Sequence, residues 1–382
     1  MKRFEFATAQ RIIFGDGVLA EAGPLAQGLG GRPLVVTGRD PSRSRDLLGL
    51  LRAQGLEPSL FSLRGEPTLA DIRQGAAQAR AVQADLIIAF GGGSALDGGK
   101  AIAALAVNDG DPLRYLEVIG EGQPLSLRPL PCIAIPTTAG TGSEVTRNAV
   151  LTSPEHGVKA SLRHEWMLPA VALVDPALTL GLPRNLTAST GLDALTQLIE
   201  PYLSTKANPL TDALCLEGIR HAVRSLRLAC ASGGDRAARS DLALASLLGG
   251  LALANAGLGA VHGLAAPLGG LVEVPHGVAC ARLLPHVLEA NLLSLRPGDP
   301  ALVKFGELAR ILTGQAQAQP LDGVAWVQAL VSDLEVPGLA AFGLSADRLE
   351  LVAERAMVAS SMKANPVPLG REALVAILAK AM

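Results

Sequence analysis

Aromatic residues are scarce in this chain. Phe, Trp and Tyr make up 3% of its 382 residues, too few for the stacking platforms that single-stranded nucleic acids require. Charge is also thin. Asp, Glu, Lys and Arg total 18%, with a formal net charge of −2, and a nucleic-acid surface would be basic. Cysteine is limited to Cys132, Cys215, Cys230 and Cys280, with no C-x-x-C spacing. Cysteines so dispersed read as buried, reduced thiols rather than a disulfide framework. The N-terminal MKRFEFATAQRIIFGDG lacks the apolar core of a signal peptide. No uninterrupted apolar run reaches the roughly 18 residues of a membrane span. The nearest, Leu247 to Val261, carries Asn255 and reads as a buried helix. The expectation is a soluble, cytoplasmic protein that binds neither nucleic acid nor membrane.

Apolar mass, by contrast, is plentiful. Hydrophobic residues reach 49%, enough for large cores, and the length suggests two domains. Short apolar runs recur in the first half: Ile12–Phe14, Pro33–Thr37, Ser59–Ser62, Ala84–Phe90, Pro131–Pro136 and Val171–Asp175. Helical patterns separate them, over Val18–Leu29, Ser42–Gln54 and Leu69–Val82, the last with Thr68 as a cap. Strands alternating with helices imply a mainly parallel α/β sheet. After Pro183 the pattern is helical to the end, with loops at Pro209, Ser232–Asp235 and Arg296–Gly298. The chain therefore divides into an α/β domain over 1–180 and an all-helical domain over 181–382.

Two loops follow buried strands. Gly91-Gly92-Gly93-Ser94 joins a strand to a helix, which suits an anion: glycines admit close approach and the helix start offers unpaired N–H groups. A tight structural turn would read the same way. The plain reading of Asp97 and Lys100, further along that helix, is a solvated face. The second loop, Thr137-Thr138-Ala139-Gly140-Thr141-Gly142-Ser143-Glu144, also leaves the carboxyl edge of the sheet, where ligands bind in open α/β folds. Together the two loops favour a nucleotide site.

In the helical half, Asp193 and Gln197 are four residues apart and share a helix face. A charge early in an apolar run calls for a partner. His262 and His276 follow, fourteen apart. His286 reads as a core or capping residue, and His156, His164 and His221 as surface residues.

These motifs in combination resemble the iron-containing (group III) alcohol dehydrogenases. The resemblance runs from Gly91-Gly92-Gly93-Ser94-x-x-Asp97-x-x-Lys100 and Pro136–Glu144 through Thr190–Thr196. It continues with Gly257–Gly263 and Pro275-His276-Gly277, and ends at Asn365-Pro366. It covers essentially the whole chain. It implies the dehydroquinate synthase-like fold, a Rossmann-like domain followed by a helical one, with the site in the cleft between them. It implies that Gly92, Gly93 and Ser94 hold the cofactor pyrophosphate, with Asp97 nearby. Thr137, Thr138 and Thr141 would line the adenine and ribose side, and Asn148 and Lys159 would make further cofactor contacts. Relatives that prefer NAD often carry an Asp where this chain has Gly38. Arg39, Ser42, Arg43 and Arg45 follow here, so NADP is an expected cofactor beside NAD.

The resemblance also implies a metal held by Asp193, His262 and His276, with Fe2+ or Zn2+ suited to such donors. Gln197 stands where the family has a fourth ligand, a histidine, and could offer a neutral oxygen. Ala266 stands where many relatives have a histidine near the nicotinamide. The implied activity is a metal-dependent NAD(P) alcohol dehydrogenase or aldehyde reductase acting on a small alcohol or aldehyde, in a homodimer or larger homo-oligomer. The alternatives are a maleylacetate reductase or polyol dehydrogenase, or a nucleotide-binding relative weakened in catalysis.

Overall fold

The computed structural model describes residues 3–382. By contact the chain forms two compact units. One comprises Ala7–Thr138 and Gly142–Leu180; the other comprises residues 3–6, Ala139–Thr141 and Gly181–Met382.

The first unit is built on a parallel sheet. Its strands are β1 (Arg11–Phe14), β2 (Pro33–Thr37), β3 (Ser59–Ser62), β4 (Leu86–Gly91), β5 (Cys132–Pro136) and, after a separate hairpin, β8 (Val171–Val174). They lie in the order β1-β8-β5-β4-β2-β3. Alternate side chains face opposite sides. Leu34 and Val36 of β2 join Ile72 and Ile102 on one face, while Val35 joins Leu47, Leu51 and Ile88 on the other. Helices α1 (Ala22–Gln27) and α2 (Arg45–Ala53) cover the second face. Helices α3 (Leu69–Ala81) and α4 (Gly93–Leu105) cover the first. Thr68 caps α3 in a reciprocal capping box with Asp71. Such double coverage is why these strands read as continuous apolar runs.

The pattern missed one element. Strands β6 (Asn148–Ser153) and β7 (Val158–Arg163) form an antiparallel hairpin. Its turn includes Gly157, at φ +60°. The alternation of buried Ala149, Leu151 and Ser153 with less buried neighbours is the period-2 signal that marks β6.

The second unit is helical: α5 (Arg184–Leu203), α6 (Pro209–Ala231), α7 (Arg236–Ala256), α8 (Ala260–Leu271) and α9 (His276–Ser294), then α10 (Pro300–Thr313), α11 (Pro320–Asp333), α12 (Leu349–Met357) and α13 (Arg371–Ala381). Helix α5 is buried almost all round, from Thr187 to Leu203. It packs against α6, α7 and α9, as a helix apolar on every side must. Helix α7 is long and apolar enough to cross a membrane by length and composition, with mean hydropathy 1.3. It packs against α5 and α6 instead. The Leu247–Val261 run is not one helix. Gly257, at φ +72°, ends α7, and the chain restarts as α8.

Candidate functional site

In the α/β unit the chain lays β3 on one side of β2 and then returns to lay β4 on the other. That reversal makes the carboxyl ends of β2 and β4 the natural crevice for a ligand. Gly38 follows β2 there, and a Cβ on Gly91 would come within 3.7 Å of its nitrogen and 2.7 Å of the Ala95 Cβ. Gly91 also adopts φ +153°, so glycine is required on both counts. Gly92 is the N-cap of α4, and Gly93 and Ser94 open the helix with N–H groups that have no intrahelical acceptor. Thr138 packs against Gly92, and the Thr137 N–H donates to the Gly91 carbonyl at 2.9 Å. The fold thus brings Gly38, Gly92, Gly93, Ser94, Thr137 and Thr138 to one edge. Thr141 belongs by contact to the helical unit.

Asp97 and Lys100 are not a solvated face. Lys100 is 1% exposed. Its Nζ donates to the Ser143 carbonyl at 2.9 Å and to Thr146 Oγ1 at 2.8 Å, and lies 3.3 Å from Asp97 Oδ1. Asp97 also accepts from the Ser143 hydroxyl and from the Val150 N–H. Burial pulls the Lys100 ammonium down, against the attraction of Asp97. The pair ties α4 to the segment after β5 and so fixes the loops. Lys159 is engaged by Glu66 at 2.7 Å, and Asn148 begins the hairpin.

The helical unit gathers a tighter cluster. Asp193 lies on α5, His262 on α8, and His276 and Cys280 one turn apart on α9. Their ligand atoms all lie within 4.8 Å of one another. Asp193 Oδ1 is 3.5 Å from His262 Nε2 and 3.7 Å from His276 Nε2. Asp193 is 2% exposed, and among the described residues its Oδ1 has no hydrogen-bond partner; nor has the buried Gln197 Oε1. A buried carboxylate oxygen without a donor is costly unless a cation completes it. The residues therefore fit a metal ion.

Electrostatics point the same way. Burial raises the Asp193 carboxyl, but His276, His262 and the Gln197 amide outweigh it and hold the group below its ordinary range. Burial lowers His262, yet Cys280, Glu200 and Asp193 raise it well above its usual value. His276 is raised by Cys280 first, against burial, and then by Asp193. The pocket attracts positive charge, and without a metal it draws protons.

Two residues here were not found from the sequence. Glu200, seven after Asp193 on α5, accepts from His262 Nδ1 at 2.6 Å and from the Val261 N–H at 2.7 Å. Nδ1 is thereby held, and Nε2 faces the cluster, the arrangement in which a carboxylate supports a metal-binding histidine. A Cβ on Gly259 would sit 2.9 Å from Glu200 Oε1 and from Asn365 Oδ1, so glycine keeps this support in place. Asn365 Oδ1 accepts from the Ala260 N–H at 3.0 Å, at the start of α8. Cys280 read as one of four buried thiols; its Sγ in fact lies 3.7 Å from His262 Nε2 and 3.6 Å from His276 Nε2. The i, i+4 spacing of His276 and Cys280 was the available signal.

The remaining histidines stand apart from the cluster. His156 is exposed. His164 and His221 are half-buried rather than on the surface: His164 accepts from the Trp166 N–H, and His221 lies 2.7 Å from Asp241. His286 is half-buried on α9, and burial lowers its pKa.

Comparison with known proteins agrees with this geometry. Residues 9–176 match the family model described as iron-containing alcohol dehydrogenase. Residues 187–382 match that of the C-terminal region of the Fe-containing alcohol dehydrogenase family. A 1,3-propanediol dehydrogenase of Klebsiella pneumoniae is 37% identical over 100% of this chain and 99% of its own. Among solved structures, a 1,3-propanediol oxidoreductase superposes with a TM-score of 0.93 at 36% identity, covering 100% of both chains. A sulfoacetaldehyde reductase from Bifidobacterium kashiwanohense, in complex with NAD+, gives a TM-score of 0.88 at 27% identity, covering 100% of this chain and 99% of that one. The chain belongs to the iron-containing alcohol dehydrogenase family.

Proposed function

We propose that this oxidoreductase transfers hydride reversibly between a nicotinamide cofactor and a small aliphatic alcohol or aldehyde, with a divalent cation at Asp193, His262 and His276. The observation that carries this reading is the partnerless Asp193 Oδ1, buried between two imidazole Nε2 atoms. When bound, the cation supplies Lewis acidity at the substrate oxygen, and the nicotinamide gives or takes the hydride. Asp193 contributes the negative charge that holds the cation. Glu200 keeps His262 in the tautomer that can ligate. Gly92, Gly93 and Ser94 would receive the cofactor pyrophosphate at the start of α4. Ala266, half-buried on α8, offers no proton relay, so proton exchange falls to water, the cofactor ribose or another side chain.

Both NADH and NADPH are proposed cofactors. A side chain at Gly38 would meet open space, and none stands there to repel a 2′-phosphate. Arg39, Arg43 and Arg45 are exposed nearby. The adjacent carboxylate, Asp40, is turned to Ser42, accepting from its N–H at 3.0 Å and its hydroxyl at 2.6 Å. Measuring kcat/KM for NADH and NADPH over an aldehyde panel, before and after chelation and metal return, tests the whole reading. Activity that chelation removes and Fe2+ or Zn2+ restores is expected. Cofactor binding without turnover would favour a relative weakened in catalysis, and a strong NADH preference would sink the NADPH assignment.

A further inference from the structure

Three protein donors are fewer than the family pattern provides, because Gln197 replaces a histidine with a neutral amide. The helical unit holds another candidate for the fourth place. Cys280 is 0% exposed and lies one turn after His276 on α9, on the same face. We infer that Cys280, as its thiolate, completes a cation site made of Asp193 Oδ1, His262 Nε2, His276 Nε2 and Cys280 Sγ, and that this set selects zinc over iron. The inference rests on the alcohol-dehydrogenase reading of the same cluster and names its metal and its fourth donor.

Spacing is the first argument. A tetrahedral zinc ion with bonds of about 2.0 Å to nitrogen and about 2.3 Å to sulfur separates those two donors by about 3.6 Å. The Cys280 sulfur stands 3.7 Å from His262 Nε2 and 3.6 Å from His276 Nε2. The oxygen edges of Asp193, at 3.5 and 3.7 Å, exceed the roughly 3.3 Å of an oxygen–nitrogen edge by a few tenths of an ångström. These four edges are thus close to those a cation would impose, and all four donor atoms lie within 4.8 Å of one another.

Orientation is the second. Glu200 engages His262 Nδ1 at 2.6 Å, so Nε2 is the atom that His262 turns to Cys280, and His276 turns its Nε2 to the same sulfur. A cation in the middle satisfies both imidazoles, the sulfur and the orphaned Asp193 oxygen together. Binding releases the thiol proton to water and forms a metal–sulfur bond. The charges of Asp193 and the thiolate then balance a dication in a buried site, where an unbalanced charge is expensive. Thiolate donors favour zinc over harder ions. Zinc also expands to five ligands, which leaves a position for the substrate oxygen. The other three cysteines lack this setting: Cys132 lies in β5 and Cys215 and Cys230 on α6, and burial pushes the Cys132 thiol up to about 12, the ordinary state of an inert buried thiol.

X-ray absorption at the zinc edge, on chelator-stripped wild-type protein reloaded with one equivalent of Zn2+, tests this without any substitution. One sulfur neighbour at about 2.3 Å beside nitrogen and oxygen is expected. In parallel, Co2+-loaded protein should show a thiolate-to-cobalt charge-transfer band in the near ultraviolet. Cys280→Ser should abolish that band while keeping the visible cobalt bands, weaken Zn2+ binding at least tenfold and narrow the preference for Zn2+ over Fe2+. A shell of nitrogen and oxygen alone, or a band that survives in Cys280→Ser, would overturn the thiolate assignment and leave the alcohol-dehydrogenase reading standing. Absence of stoichiometric metal uptake would overturn both. A sulfur-ligated metal without aldehyde turnover would support the thiolate and sink the enzymatic reading.

Discussion

In the α/β unit, Lys100 is buried and each of its contacts is answered: by the Ser143 carbonyl, the Thr146 hydroxyl and Asp97. In the helical unit, Asp193 is buried to a similar degree, yet among the described residues its Oδ1 has no protein donor, and the nearby Gln197 Oε1 has none either. The first arrangement is closed upon itself. The second is a cluster of donors that suits a positive charge. Buried charge therefore marks architecture at Lys100 and, on our reading, a ligand site at Asp193.

Removing the charge should have opposite consequences in the two regions. Asp193→Ala should abolish stoichiometric metal binding and lower kcat/KM by roughly 10³-fold or more, the scale of losing electrostatic stabilisation at a reacting oxygen. Metal content and kinetics check this. Lys100→Met, in contrast, should destabilise the fold by about 3–5 kcal/mol, the cost of breaking a buried pair from one side, with metal content unchanged. Urea denaturation reads the first part and elemental analysis the second.

The sharpest test of closure in the α/β unit is pH. Among the described residues Glu144 Oε2 has no hydrogen-bond partner, and burial lifts its carboxyl from 4.5 to about 7. A group raised in the folded state binds a proton more readily there than in the unfolded chain. Its stabilisation is thus complete below the ordinary value and is lost as pH rises through about 7. Stability should fall by about 3 kcal/mol between pH 4.5 and 7.5, and Glu144→Gln should flatten that slope in pH-dependent denaturation curves. The smallest effect belongs to the support behind the metal. Glu200→Gln should weaken Zn2+ binding about 10–100-fold, as loss of a partner to a ligating histidine does. Zn2+ titration would show it, and unchanged affinity would remove Glu200 from the site.

The sequence made some of this legible and left the rest to the fold. The parallel strands were readable because both faces of the sheet are covered, which turns β2, β4 and β5 into unbroken apolar runs. The hairpin at Asn148–Arg163 was not, because its alternation is carried by small and polar residues as well as by Leu151 and Leu162. Asp193, His262 and His276 stood out through the family pattern, and the structure gathers them. Cys280 and Glu200 did not. Each is unremarkable in sequence, one a buried thiol and the other a carboxylate late in α5, and each acquires its role only when three helices meet. Lys100 and Asp97 failed in the reverse sense. Their spacing suggested a solvated face, and no local signal reveals that the segment after β5 folds over them.

The central claim is that Asp193, His262, His276 and Cys280 form a cage for one cation. Isothermal titration of Zn2+ into chelator-stripped wild-type protein addresses it most directly. The account predicts saturable uptake of one ion per chain, lost in Asp193→Ala. Uptake that fails to saturate at one ion, or that persists unchanged in Asp193→Ala, would contradict it.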